Sequence, residues 1–330
     1  MAVGIKDVAR LASVSPATVS RVLGGRAVDP AMRARVEAAV AATGYHPNLS
    51  ARRLRSRHNN TVGLIVADIR NPFFTAVSRT VEDAAYARGL RVILCNTDED
   101  PAREDMYLRL MHEERVTGVI LAPTRPSADR VAGESQDFPM VLIDRSIPLR
   151  MHDAVVLNNE QAAMTLVEHL HAQGYRRIAG LFGAASTTGV ERHDGYVRAM
   201  TRLGLSPMAS FVDHGYGAVE AEVARLMTGP EPPDALIASN GVMLMRVCRA
   251  LHAAGLSVPE AMGLAGFDNE PWTELVGEGL TVIEQPVEDI GRTAMAMLLD
   301  RLDAPDTAPR KVMLAGRCVV RGSTKGRNIG

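Results

Sequence analysis

The stretch IKDVARLASVSPATVSRVLGG, residues 5–25, holds two short helical patterns separated by a tight turn. Ile5, Val8, Ala9 and Ala12 recur at the spacing that gathers one apolar stripe on a helix, and Gly4 stands where that helix starts. Ser13-Val14 makes the turn. Ser15 suits an N-cap, because its hydroxyl can accept a backbone N–H of the first turn. Pro16 follows at the first helical position, where its missing N–H would have had no partner anyway. The spacing predicts a second helix from Pro16 to Leu23 that buries Val19, Val22 and Leu23 and turns Pro16, Ala17, Ser20 and Arg21 outward. Asp29-Pro30 repeats the cap-then-proline start for a third helix, which Gly44 closes. Three short helices, with a tight turn between the first two, let the second lie in a DNA major groove. There Arg21 can reach guanine and Ala17 can touch a thymine methyl, with Ser15, Pro16, Thr18 and Ser20 beside them.

Charge supports the same reading. Residues 1–60 contain ten Lys/Arg and three acids, or +7; the other 27 basic and 35 acidic residues leave −8 on the remainder. A compact basic head on an acidic body points to a polyanion partner for the head alone. A merely solvated charged face is the plainer alternative, and the outward Ser20 and Arg21 of the second helix favour DNA over it. The whole chain has 330 residues, 46% hydrophobic and 23% charged, which suits two or three globular domains and excludes a disordered or fibrous chain. No apolar run reaches the roughly 20 residues that cross a bilayer, and the start lacks the apolar stretch of a secretion signal. Cys95, Cys248 and Cys318 lie far apart without metal-like spacing. A cytoplasmic protein with neither a structural metal nor a membrane partner is the expectation.

From Thr61 onward, strand-like apolar runs alternate with helical stretches. The runs include Val62–Ala67, Arg91–Cys95, Gly118–Leu121, Met140–Ile143, Ala154–Leu157, Ile178–Phe182, Ala235–Ala238 and Met262–Ala265. Such βα alternation means parallel sheets covered on both faces, with ligands at strand C-termini. No GxGxxG follows a strand and no GxxxxGK[ST] occurs, so neither a dinucleotide nor an ATP cofactor is expected. The nine histidines form no paired ligand pattern, and Met243, Leu244, Met245 and Val247 read as helix core.

The head, through IKDVARLASVSPATVSRVLGG and VDPAMRARVEAAVAATGYHPNLSARRLRS, resembles the DNA-binding head of the LacI/GalR family of bacterial transcription repressors. The body resembles that family's effector module, of the periplasmic-binding-protein type I fold. The matching strings are VGLIVADIRNPFF, TGVILAP, VLIDRSIP, GYRRIAGLFG, ERHDGYVRAM, VPEAMGLAGFDN and TVIEQPVEDIGRTA, in that order. The resemblance implies a helix-turn-helix domain over residues 1–46, a hinge helix and linker over 47–60, and an effector-binding and dimerisation module over 61–330. It places lobe one at about 61–156 plus 286–312 and lobe two at about 157–285 plus 313–330. It also implies a homodimer on a palindromic operator, answering to a small-molecule effector. Regulation mainly by a protein partner, or catalysis on the two-lobed fold, are the competing functions. The tail after Arg321 lacks a leucine heptad and so offers no coiled coil for tetramers.

Asn48 caps a hinge of about ten residues, below the roughly 12–15 at which isolated helices become marginal. Arg52, Arg53, Arg55 and Arg57 repel one another until DNA phosphates neutralise them. By resemblance, Leu54 is an apolar wedge pushed into the minor groove, although an ordinary packing contact is the alternative. Ala51 is small enough for two hinge helices to approach. In the body, Arg192 matches the family arginine that grips effector hydroxyl or anionic groups, and Asp268 matches a carboxylate that accepts from hydroxyls. A surface arginine and a turn aspartate are the structural alternatives. Phe73 and Phe74 match the lobe-one wall, where Phe73 either stacks on a sugar ring or belongs to the core. Asp144, Ser186, Thr188, Asn240 and Gln285 fall at polar pocket positions. Asn240-Gly241 and Asn158-Asn159 stand where the family often has one acid each, Asn-Asp and Asp-Asn. Two missing carboxylates favour an acidic guest, a sugar acid or sugar phosphate, over a neutral sugar.

Overall fold

The computed structural model describes residues 4–23, 26–45, 59–127, 131, 136–145, 152–184, 186–213 and 217–326. They form two compact units, residues 1–59 and 60–330.

The first unit contains α1 (Ile5–Leu11), α2 (Pro16–Leu23) and α3 (Pro30–Thr43). Asp29 accepts from the Ala31 and Met32 amides and so caps α3, while Gly44 ends it in the left-handed region at φ +61. Gly4 has no side chain to cap α1, and Asp7 reaches back to its amide at 3.0 Å. Val8, Ala9, Ala12, Val19, Val22, Val36 and Ala39 are the core, with Leu23 only partly covered.

The second unit holds two six-stranded sheets. The first contains β1 (Thr61–Val66), β2 (Arg91–Asn96), β3 (Gly118–Leu121), β4 (Met140–Ile143), β5 (Asp153–Leu157) and β11 (Lys311–Leu314). Their order is β2-β1-β3-β4-β5-β11, all parallel. The second contains β6 (Ile178–Gly183), β7 (Met208–Val212), β8 (Ala235–Ala238), β9 (Gly263–Phe267), β10 (Thr281–Glu284) and β12 (Arg317–Val319). Its order is β7-β6-β8-β9-β10-β12, parallel except for the antiparallel β12. The central strands are buried on both faces because helices cover them, which is why they read as unbroken apolar runs.

The covering helices are α4 (Pro72–Tyr86) and α5 (Pro101–Glu113) on the first sheet, joined late in the chain by α10 (Val287–Asp303). The second sheet carries α6 (Asn159–Ala172), α7 (Thr187–Arg202), α8 (Ala218–Thr228) and α9 (Gly241–Ala253). The chain therefore passes between sheets three times: after β5, after β10 and after β11. The third passage, expected near 313, follows Leu314. Met313 and Leu314 still pair with Val156 and Leu157, because β11 adds a full four-residue edge to the first sheet. Among the described residues no helix is long and apolar enough to cross a membrane.

Candidate functional site

In the head, Ser15 accepts the Thr18 amide at 3.1 Å and lies 2.9 Å from the Thr18 hydroxyl. Both side chains are thereby committed to starting α2. Ser13, at φ +52, makes the turn before it. Pro16, Ala17, Ser20 and Arg21 are all exposed on α2, with Thr18 half-buried. The outward face read from periodicity is therefore present. Asn48, Ala51, Arg52, Leu54 and Arg55 lie outside the described residues.

In the body, one cavity of about 170 Å³ lies at the strand C-termini of both sheets. It is lined by Phe73, Phe74, Asp144, Ser186, Thr188, Arg192, Asn240, Asp268 and Gln285 together. The structure thus brings all nine sequence-derived candidates of the body to one place. Phe73 and Phe74 follow β1 and meet edge to face at 5.1 Å. Both also belong to the buried core of the first lobe, so Phe73 is core and cavity wall at once. Ser186 caps α7 by accepting the Gly189 amide at 3.0 Å and lies 3.0 Å from the Thr188 hydroxyl. Asn240 caps α9 through its carbonyl oxygen, bonded to the Met243 amide at 2.8 Å. Each cap uses the acceptor of a side chain that also faces the cavity.

Arg192 projects from the second turn of α7. Its Nε donates to Asn159 Oδ1 at 2.8 Å, its Nη1 donates to the Ser239 carbonyl, and its guanidinium carbon lies 4.0 Å over the Phe267 ring. Burial pulls this guanidinium below its ordinary value, against the opposing pull of Asp268 and Asp144. Among the described residues no carboxylate oxygen comes within the 4.0 Å of an ion pair to it. Asp268 directly follows β9 at φ +74 and accepts from the Gly241 amide at 2.8 Å and from Gln285 Nε2 at 2.6 Å. Gly241 lets this close approach form without displacement: a Cβ would sit 3.1 Å from the Asp268 Cβ and 3.2 Å from its Oδ2, so the aspartate would have to shift by a few tenths of an ångström.

Across the cavity, Asp144 follows β4 in the left-handed region, φ +64. Burial pushes its carboxyl up to about 6, although Arg145 and Arg192 pull the other way. Arg145, which the sequence reading missed, is buried beside it, with Nε 3.2 Å from Asp144 Oδ2. Its Nη1 donates to Glu99 at 2.8 Å and to the Pro123 carbonyl at 3.0 Å, and its Nη2 closes the second bond to Glu99. Burial alone would lower Arg145, yet the hydrogen bonds and charge of Glu99, joined by Asp144, hold it above its usual value. The signal available for Arg145 was the dipeptide Asp144-Arg145 directly after a buried four-residue strand. Glu99 sits in a turn and carried no such signal. Asp68, Arg70, Asp213 and Arg246 also line the cavity and were missed. Among the described residues no group of three or more His, Cys, Asp or Glu could hold a metal ion.

Residues 4–48 match the bacterial regulatory proteins of the lacI family, and residues 167–324 match the periplasmic binding protein-like domain. The HTH-type transcriptional regulator PtxS of Pseudomonas plecoglossicida is 36% identical, over 99% of this chain and 97% of its own. The chain belongs to the LacI family. Another member, the HTH-type transcriptional regulator KdgR of Bacillus subtilis, is 31% identical over 97% of each chain. A solved structure of the regulator CelR with cellobiose superposes with a TM-score of 0.73 at 28% identity, covering 97% of this chain and 99% of that one. Membership of this family makes the chain a DNA-binding transcription repressor and not an enzyme.

Proposed function

We propose that this repressor binds a palindromic operator as a homodimer and answers to a small sugar acid or sugar phosphate held in the cleft between its lobes. The head over residues 1–46 reads the major groove with α2, the segment 47–60 is the hinge, and residues 61–330 sense the effector. Arg192 carries the ligand reading: it is a buried guanidinium with no ion-pair partner among the described residues, facing a cavity with hydroxyl and amide groups around it. A buried cation is costly until an anion meets it, and a guanidinium fork suits a carboxylate or phosphate. Asn240, Gln285 and Asp268 supply hydrogen bonds of the kind sugar hydroxyls need. A family member solved with cellobiose supports a carbohydrate guest.

The test is a thermal-shift panel of D-gluconate, D-glucuronate, their phosphates and D-glucose, followed by operator titration at fixed salt. The salt is fixed because a head this basic binds any DNA more tightly as ions are diluted. The acids should stabilise the chain and change operator affinity roughly 5- to 150-fold, the usual range of such coupling. Stabilisation by neutral sugars alone would reject the acidic guest. Silence from every compound would favour control by a protein partner.

A further inference from the structure

All three chain passages between the lobes leave from one edge of each sheet, where β5 and β11 meet β10 and β12. At roughly 4.8 Å per strand, β3 lies about 14 Å from the edge strand β11 of the first sheet and β6 about 19 Å from the edge strand β12 of the second. Away from the passages, a hydrogen bond between described residues crosses the cleft. Arg125, in a single 3-10 turn after β3, donates Nη1 to the Ala184 carbonyl after β6 at 3.0 Å.

Both ends of this bond are rigidly mounted. On the first lobe, the Thr124 amide donates to the buried Glu104 carboxylate at 2.6 Å, and the Thr124 and Ser127 hydroxyls lie 2.8 Å apart. Two residues before Arg125, the Pro123 carbonyl accepts from Arg145, the neighbour of Asp144. On the second lobe, the Ala184 amide donates to the Val212 carbonyl at 3.2 Å. The Gly183 amide donates to Ser239 Oγ at 3.1 Å, and the Ser239 carbonyl accepts from Arg192. Arg125 thus connects the two halves of the cavity wall through short, fixed links.

We propose that Arg125 is a positioning residue, an interlobe clasp opposite the three chain passages that sets how far the cleft closes. Its side chain is exposed and no carboxylate among the described residues pairs with it, so the bond to Ala184 is open to competition from water. That makes the clasp reversible rather than permanent. Its regulatory consequence rests on the cleft being the effector site, whereas the clasp itself needs no guest.

The experiment is a distance measurement between spin labels at Glu113 and Glu231 of the full chain. Glu113 ends α5 and Glu231 precedes β8, so both lie at the ends of the lobes away from the cleft. Labels attached through an encoded keto side chain leave Cys95, Cys248 and Cys318 untouched, and excess unlabelled chain removes distances between subunits. Arg125→Ala should broaden and shift the separation in the guest-free protein, with the clasped population falling roughly three- to tenfold against the unclasped one. Arg125→Lys, which keeps a donor, should restore part of it. An Arg125→Ala distribution identical to the wild type overturns the clasp. The second readout is the affinity for D-gluconate, expected to weaken three- to tenfold with Arg125→Ala. A shifted distribution with unchanged affinity keeps the clasp and counts against the cleft as effector site.

Discussion

Asp144 shows what one residue in the cavity does to the whole molecule. An ordinary aspartate titrates at about 3.9, while burial lifts the Asp144 carboxyl to about 6. Its folded value lies above the unfolded one, so between about pH 4 and 6 the native state holds the extra proton. Stability from this group is therefore present below pH 4 and is lost as pH rises towards 6. Asp144→Asn removes the titration. In urea unfolding at pH 4.5, 5.5 and 7, the wild type should lose on the order of 2 kcal/mol relative to the variant across that window. Parallel curves would mean that the carboxyl is not buried as described. Position Asp144 was legible in the sequence because it follows an apolar run at a strand C-terminus. Glu99 was not, since its role depends on a turn after β2 folding back onto Arg145, a long-range contact that local spacing does not encode.

Helix α7 carries Ser186 at its cap, Thr188 in its first turn and Arg192 in its second, so its seating decides the site. It approaches α6 and β6 through glycines. A Cβ at Gly195 would meet the Glu160 carbonyl oxygen, and one at Gly189 the Gly183 carbonyl oxygen, both well inside contact distance. Backbone atoms cannot swing aside as side chains do. Gly195→Ala should push α7 off α6, lowering stability by about 1–3 kcal/mol, the usual cost of overpacking, and displacing Arg192. Calorimetry and D-gluconate titration would register both effects; full stability with full binding would show the helices are not this close. Elements of this kind were readable where capping chemistry marks them, as at Ser15-Pro16, Asp29-Pro30 and Gly44. The edge strands β7, β11 and β12 escaped because they are only three to five residues long and made mostly of exposed and half-buried positions. An edge needs no continuous apolar run, and β12 exists only as an antiparallel partner for β10.

On the scale of the molecule, residues 1–60 carry +7, four of those charges being the arginines of the segment 47–60, and the body carries −8. The division into units was legible from charge and from the change of hydrophobic period near residue 61. The third passage could be read only to within a few residues, because an edge strand such as β11 gives a weak signal. If the cleft guest changes operator affinity by some factor, thermodynamic linkage requires operator DNA to change guest affinity by that same factor. Isothermal titration of D-gluconate into the full chain, with and without saturating operator, should give affinities differing by the ratio seen in the DNA titration. Residues 60–330 alone form a compact unit with the whole cavity. That fragment should bind D-gluconate as the DNA-free chain does and should ignore added operator. Equal guest affinities for the full chain with and without DNA, beside a real effect of guest on DNA, would mean that the site titrated is not the one coupled to the operator and that the guest acts through another. A fragment that binds far more weakly than the full chain would show that residues before Asn60 help to build the cavity, and the two units would then have to be treated as one.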